Sequence, residues 1–118
     1  FSIYVSLLTM KWLKNLGGIE TIDEINKTKA IVMYSEIDLN PLFKGFAAVE
    51  DRSTMNATFS LVNDGLKDTF ESMMKEAGIE GINGHRSVGG YRASMYNALS
   101  LDSVKVLVEV MSELETKA

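Results

Sequence analysis

The segment Met55-Asn56-Ala57-Thr58-Phe59-Ser60-Leu61 alternates apolar and polar residues without a break. Successive side chains on a strand point to opposite faces, so this pattern predicts a strand with one buried and one wet face. Residues Tyr91 to Tyr96 repeat the pattern, with Arg92, Ser94 and Tyr96 on one face and Tyr91, Ala93 and Met95 on the other. Strands that are apolar on one side only need a cover on that side only. The rest of the chain supplies helices for it. Ile19, Ile22, Ala30, Met33 and Ile37 form one stripe at helical spacing, which Asn40-Pro41 ends, because proline has no N–H and disfavours helix in the residue before it. Residues 42–50 are expected to be extended or irregular. Asn63 is a candidate cap for a helix burying Leu66, Phe70, Met73 or Met74, and Ala77, closed by Gly78. Ser100 caps a last helix with Leu101, Val104, Leu107 or Val108, Met111 and Leu114 inward. The order ααβαβα predicts an α+β fold, a small antiparallel or mixed sheet covered on one face by helices.

Residues 1–13 are the most apolar stretch. Their polar members Ser2, Ser6 and Thr9 form one narrow stripe, the pattern of a buried helix, with Trp12 expected in the core. No basic leader or cleavage site marks a signal peptide, and Lys11 and Lys14 cut the run short of the roughly 20 residues that span a bilayer. An apolar helix that opens without a cap reads as part of something longer, a fragment or processed domain. A length of 118 residues suits one domain, and 46% hydrophobic residues suffice for a core. The seven methionines are expected to fill core space. The net charge of −4 argues against a nucleic-acid-binding surface spread over the fold. With no cysteine and one histidine, disulfides, zinc–thiolate sites, thiol nucleophiles and multi-histidine metal sites are excluded.

Between Glu80 and Asp102 the only charged residues are Arg86 and Arg92, with His85 beside them. Elsewhere ten basic residues face sixteen acidic ones, so this segment is a cationic island in an acidic chain. Gly78, Gly81, Gly84, Gly89 and Gly90 accompany it. Arginine suits bidentate capture of carboxylate or phosphate, and glycine lets backbone approach a ligand. The segment reads as an anion-binding site; the alternative is that both arginines pair with surface carboxylates. Nucleotide-loop signatures fail here. Gly90 and Tyr91 stand where a P-loop needs Lys and Ser or Thr, and Gly78, Gly81 and Gly84 do not follow G-x-G-x-x-G.

The run from Gly84 to Ala98, GHRSVGGYRASMYNA, resembles the GHR-x-VGG-x-RAS-x-YNA segment near the C-terminus of the phosphoserine aminotransferase family. These are class V, fold-type I enzymes that use pyridoxal phosphate. Three further stretches are similar in order: Lys11–Gly18 to KWLK-x-x-GG, Ile25–Ala30 to IN-x-x-KA, and Arg52–Phe59 to RS-x-MN-x-x-F. Residues 38–50 match no word of the family.

The resemblance implies that Arg92 binds the substrate α-carboxylate and that His85 and Arg86 help hold the substrate phosphate. It implies a homodimeric cytoplasmic enzyme passing the amino group of glutamate to 3-phosphohydroxypyruvate, giving phosphoserine and 2-oxoglutarate. The family also acts on a phosphorylated intermediate on the route to pyridoxal phosphate. Residues 1–17 would be the end of an interdomain helix and 18–118 the C-terminal small domain of a fold-type I transferase. The lysine, aspartate and phosphate ligands that hold the cofactor would lie in a large domain upstream. No catalytic, cofactor-binding or metal-binding residue is therefore assigned within these 118, and the chain alone is expected to be inactive. The competing readings are a stand-alone regulatory domain for a small anionic metabolite, and a purely structural domain. No nucleic-acid or membrane partner is expected.

Overall fold

A computed structural model describes residues 1–118. Helix α1 runs Ser2–Leu16 and α2 runs Gly18–Leu39. Gly17 and Gly18 between them adopt φ of 122° and 83°, conformations that L side chains rarely take. A Cβ on Gly17 would also overlap the Thr21 side chain. The hinge between the helices is thus written in two glycines.

Helix α2 buries Ile22, Asn26, Lys29, Ala30, Met33 and Ile37. Ile19, expected on the same stripe, lies in the opening turn and stays exposed, so burial begins one turn later. Asn40 ends the helix as an anchor: its side-chain amide donates to Glu36 (2.8 Å) and to the Met111 carbonyl (3.0 Å), and its oxygen accepts from the Leu42 N–H (3.0 Å). Helix α1 differs from its sequence reading. None of its residues is buried, and Trp12, expected in the core, is 41% exposed. The physical reason is that α1 packs chiefly on α2, leaving Ile3, Tyr4, Leu7, Leu8 and Met10 uncovered.

Three antiparallel strands follow, in the order β1 (Phe43–Gly45), β2 (Asn56–Leu61) and β3 (Tyr91–Ser94). The short β1 falls where the sequence suggested extended or irregular chain, and it pairs Phe43 with Leu61 and Gly45 with Phe59. Alternation holds on both longer strands. Ala57, Phe59, Leu61, Tyr91 and Ala93 are buried, as is Met95 just beyond β3, whose N–H reaches the Met55 carbonyl at 2.6 Å. Their neighbours Asn56, Thr58, Ser60, Arg92 and Ser94 occupy the opposite, wetter face.

The helices cover the apolar face. Asn63 caps a 3-10 turn, Asp64–Leu66, by accepting the Gly65 N–H at 2.9 Å, and the chain continues into α3 (Lys67–Glu76). Phe70 and Met74 of α3 point inward, while Ala77 is exposed beyond its end. Helix α4 (Leu101–Lys117) starts at Ser100, whose hydroxyl accepts the Ser103 N–H at 3.2 Å. It buries Val104, Leu107, Val110, Met111 and Leu114 against α2 and α3. Met33, Met74, Met95 and Met111 fill the core as expected; Met10 is 66% exposed. No helix is long and apolar enough to cross a membrane.

An aromatic cluster joins sheet to helix. Phe70 stands edge-on to Phe43 and to Tyr91, with centroids 5.1 Å apart in each case, and Phe59 lies 5.6 Å from Tyr91. Such pairs add about 0.5–1.5 kcal/mol each beyond area burial. The Tyr91 hydroxyl is 3.4 Å from a Glu71 carboxylate oxygen. Burial and then the Glu71 charge push the phenol up to about 12. Its ordinary value is about 10, so the folded state holds this proton more tightly than the unfolded chain. The resulting stabilisation is complete below about pH 10 and is lost as pH rises through about 12. Urea unfolding across that window should show the loss in the parent chain and a shallower one in Tyr91→Phe.

Candidate functional site

The wet face of the sheet carries the cationic island. Arg92 sits opposite Thr58 in the β2–β3 register, and its N–H donates to the Ile82 carbonyl at 2.7 Å, so segment 82–83 flanks β3 on its far edge. The loop between them closes on itself. The Gly84 N–H donates to the Gly90 carbonyl (2.8 Å), while the Val88 and Gly89 N–H groups converge on the His85 carbonyl (2.9 and 2.8 Å). Glycine is required by the space: a Cβ on Gly84 would overlap the Gly89 carbonyl, and one on Gly90, at φ 66°, would sit 2.7 Å from the Phe59 carbonyl.

A cleft of about 170 Å³ opens between this loop and the strands, lined by Phe46, Thr58, Ser60, His85 and Arg92 with loop backbone. His85 and Arg92, assigned from sequence, are therefore brought together. Arg86 is exposed on the loop and does not line the cleft. The His85 ring is held by its own loop, its Nδ1 lying 2.7 Å from the Ser87 hydroxyl and accepting the Ser87 N–H at 3.3 Å. The ion pairs of the chain are Lys27–Asp23, Arg52–Asp38, Lys67–Glu71 and Lys117–Glu113, so neither Arg86 nor Arg92 has a carboxylate partner. Two of the three arginines thus present unneutralised guanidinium groups, the state expected of anion ligands rather than of surface ion pairs. A roomier cleft of about 270 Å³ lies among Met33, Ile79, Ala93, Met95, Val104 and Leu107, but its walls are mostly apolar and their one charged side chain is Glu80.

Three polar residues outside the sequence assignment brace the domain. Lys29 is fully buried, and its ammonium donates to the carbonyls of Met95 (3.3 Å), Tyr96 (2.9 Å) and Leu99 (2.9 Å). Burial lowers its pKa. Beside it the Asn26 amide donates to the Asn97 side-chain oxygen at 2.9 Å. Together they fasten the turn after β3 onto α2. The signal was present, since Asn26 and Lys29 fall on the same helical stripe as Ile22 and Met33. Arg52, third of the set, grips Asp38 with both guanidinium arms (2.8 and 2.6 Å) and lies 4.5 Å over the Tyr34 ring. Its hydrogen bonds hold the Asp38 carboxyl below, and the Arg52 guanidinium above, their ordinary ranges. No sequence word marked Asp38, and this pair neutralises the remaining arginine.

No family model matches the chain. It is 65% identical over 117 residues to the phosphoserine aminotransferase of Flavobacterium psychrophilum, a match covering 99% of this chain and 33% of the relative. A solved phosphoserine aminotransferase, studied for radiation damage of its Schiff base, superposes with TM-score 0.86 at 45% identity, over 92% of this chain and 31% of the other. The pyridoxal-phosphate-bound phosphoserine aminotransferase of Trichomonas vaginalis gives TM-score 0.78 at 35% identity, over 86% and 30%. The chain spans about a third of the length of the curated relatives it matches.

Replacing Lys29 by Met would leave the Met95 and Leu99 carbonyls without this donor, while the Tyr96 carbonyl keeps the Leu99 N–H. The loss should be about 2–4 kcal/mol, read as a lower urea midpoint at unchanged slope.

Proposed function

Since the chain belongs to the phosphoserine aminotransferase family and matches the C-terminal portion of its members, we propose that it is the substrate-recognition domain of such an enzyme. The reaction is transfer of an amino group from glutamate to 3-phosphohydroxypyruvate, giving phosphoserine and 2-oxoglutarate. The observation that carries this reading is the pair of unpartnered arginines, Arg92 on the wet face of the sheet and Arg86 on the loop before it, with His85 next to Arg86 in sequence. A phosphorylated amino acid presents an anion at each end. A strand-borne guanidinium at Arg92 and a loop-borne pair at His85 and Arg86 are matched to two such ends.

Arg92 binds the α-carboxylate, where its planar fork makes two parallel charge-assisted bonds and fixes the substrate's direction. Its N–H is tied to the Ile82 carbonyl and it stands in register with Thr58 across the sheet, so the guanidinium starts from a set position. His85 and Arg86 take the phosphate. The loop carrying them is already closed through Gly84 and Gly90, which reduces the entropy lost on binding.

Pyridoxal phosphate, bound in the solved relative from Trichomonas vaginalis, supplies the electron sink of transamination. The residues of this chain do not fit it. Lys29, the buried lysine, gives its ammonium to three carbonyls, and the other eight lysines are exposed on the surface. The cofactor seat accordingly belongs to the remaining two-thirds of the enzyme, and the isolated chain does not transaminate. In the same reading residues 1–17 end an interdomain helix, 18–118 form the small domain, and the enzyme works as a cytoplasmic homodimer. The uncovered apolar surface of α1 supports a neighbour on that side.

Charge-assisted hydrogen bonds are worth about 1.5–3 kcal/mol, so Arg92→Ala in the full-length enzyme should raise KM for the phosphorylated oxo acid about 10- to 100-fold. Arg86→Ala should weaken competitive inhibition by inorganic phosphate. Steady-state kinetics with KM unmoved by Arg92→Ala would remove the carboxylate role.

A further inference from the structure

The His85 carbonyl and its ring Nδ1 are both engaged within its own loop. Its carbonyl accepts two N–H groups, from Val88 and Gly89. Its Nδ1 accepts the Ser87 N–H at 3.3 Å and lies 2.7 Å from the Ser87 hydroxyl. A backbone N–H only donates, so Nδ1 is the lone-pair nitrogen of the ring. In neutral imidazole the proton then resides on Nε2. Nε2 makes no hydrogen bond to the protein, and His85 lines the same cleft as Arg92.

We propose that Ser87 is a positioning residue that locks His85 in its Nε2–H form and presents that N–H to the anionic end of the substrate. The proposal rests on the reading of His85 as a phosphate ligand and adds a reason for it. A neutral histidine is a useful phosphate donor only in the tautomer whose proton faces the ligand, because the other aims a lone pair at an oxygen lone pair. Ser87 supplies both contacts that choose between them: its hydroxyl donates to Nδ1 at hydrogen-bond distance, and its backbone N–H adds a longer second bond. The closed loop fixes the spacing, with Gly84 and Gly90 joined at 2.8 Å across its base. Ser87 occupies the position that the family word GHR-x-VGG leaves open.

The test uses the full-length, cofactor-loaded enzyme, with the phosphorylated oxo acid as substrate and inorganic phosphate as competitive probe. Ser87→Ala should raise the KM of that substrate and the inhibition constant of phosphate in parallel, by about three- to tenfold, with little change in kcat. Ser87→Thr, which keeps the hydroxyl, should restore both constants. His85→Gln carries a donor that needs no tautomer, and in that background Ser87→Ala should have no further effect. If Ser87→Ala weakens phosphate equally in the parent and in His85→Gln, the hydroxyl acts on the ligand directly and the proposal is overturned. It is also overturned if His85→Ala weakens phosphate while Ser87→Ala does not. If His85→Ala itself leaves both constants unmoved, the phosphate reading of His85 fails first and takes this one with it.

Discussion

A single buried ammonium holds the architecture to its purpose. Lys29 carries a full charge into the interior with no carboxylate to meet it, and three backbone carbonyls on the turn after β3 supply the compensating dipoles. Desolvating a charge costs several kcal/mol even after relaxation, so the arrangement persists only while all three carbonyls converge. That requirement fixes the turn 95–99 against α2. The turn in turn sets where β3 ends and where α4 begins. The strand bearing Arg92 is therefore aimed from behind by a residue on the first long helix of the domain.

The faces of the sheet divide the work. Phe43, Phe59, Tyr91 and Phe70 form the aromatic interior and consume the apolar side of every strand. What is left for the other side is short and polar: Asn56, Thr58, Ser60, Ser94. Arg92 rises from that low ground without steric competition. Of the chain's three arginines, Arg52 is neutralised by Asp38 and stacked on Tyr34, which ties the end of α2 to the approach to β2. The other two carry no such partner, and the difference between them and Arg52 is the difference between a brace and a ligand-binding group.

Much of this was legible in the chain because period-2 alternation is a local code. Residues 55–61 and 91–96 announced their faces, and the glycines at 84, 89 and 90 announced a loop. The apolar members mark the buried stripe of α2 but not Asn26 and Lys29, whose partners are some 70 residues away, at Asn97 and at carbonyls that no sequence pattern marks. The three-residue β1 was hidden because its pairing with β2, not its own composition, makes it a strand. Trp12 and its neighbours were read as core because apolar residues all round a helix imply a cover. Within these residues their main cover is α2.

The parity of β3 has a consequence for how the chain tolerates change in length. Tyr91, Ala93 and Met95 face inward only because an odd-numbered register is fixed at both ends, by Gly90 against Phe59 on one side and by the Lys29 anchorage on the other. Inserting or deleting one residue between those points would invert every side chain in between, driving a guanidinium into the aromatic interior and a tyrosine into water. A change in chain length can be absorbed only outside this window. The stretch from Gly84 to Leu99 is a fixed-length cassette, and its length is as much a part of the anion site as any residue within it.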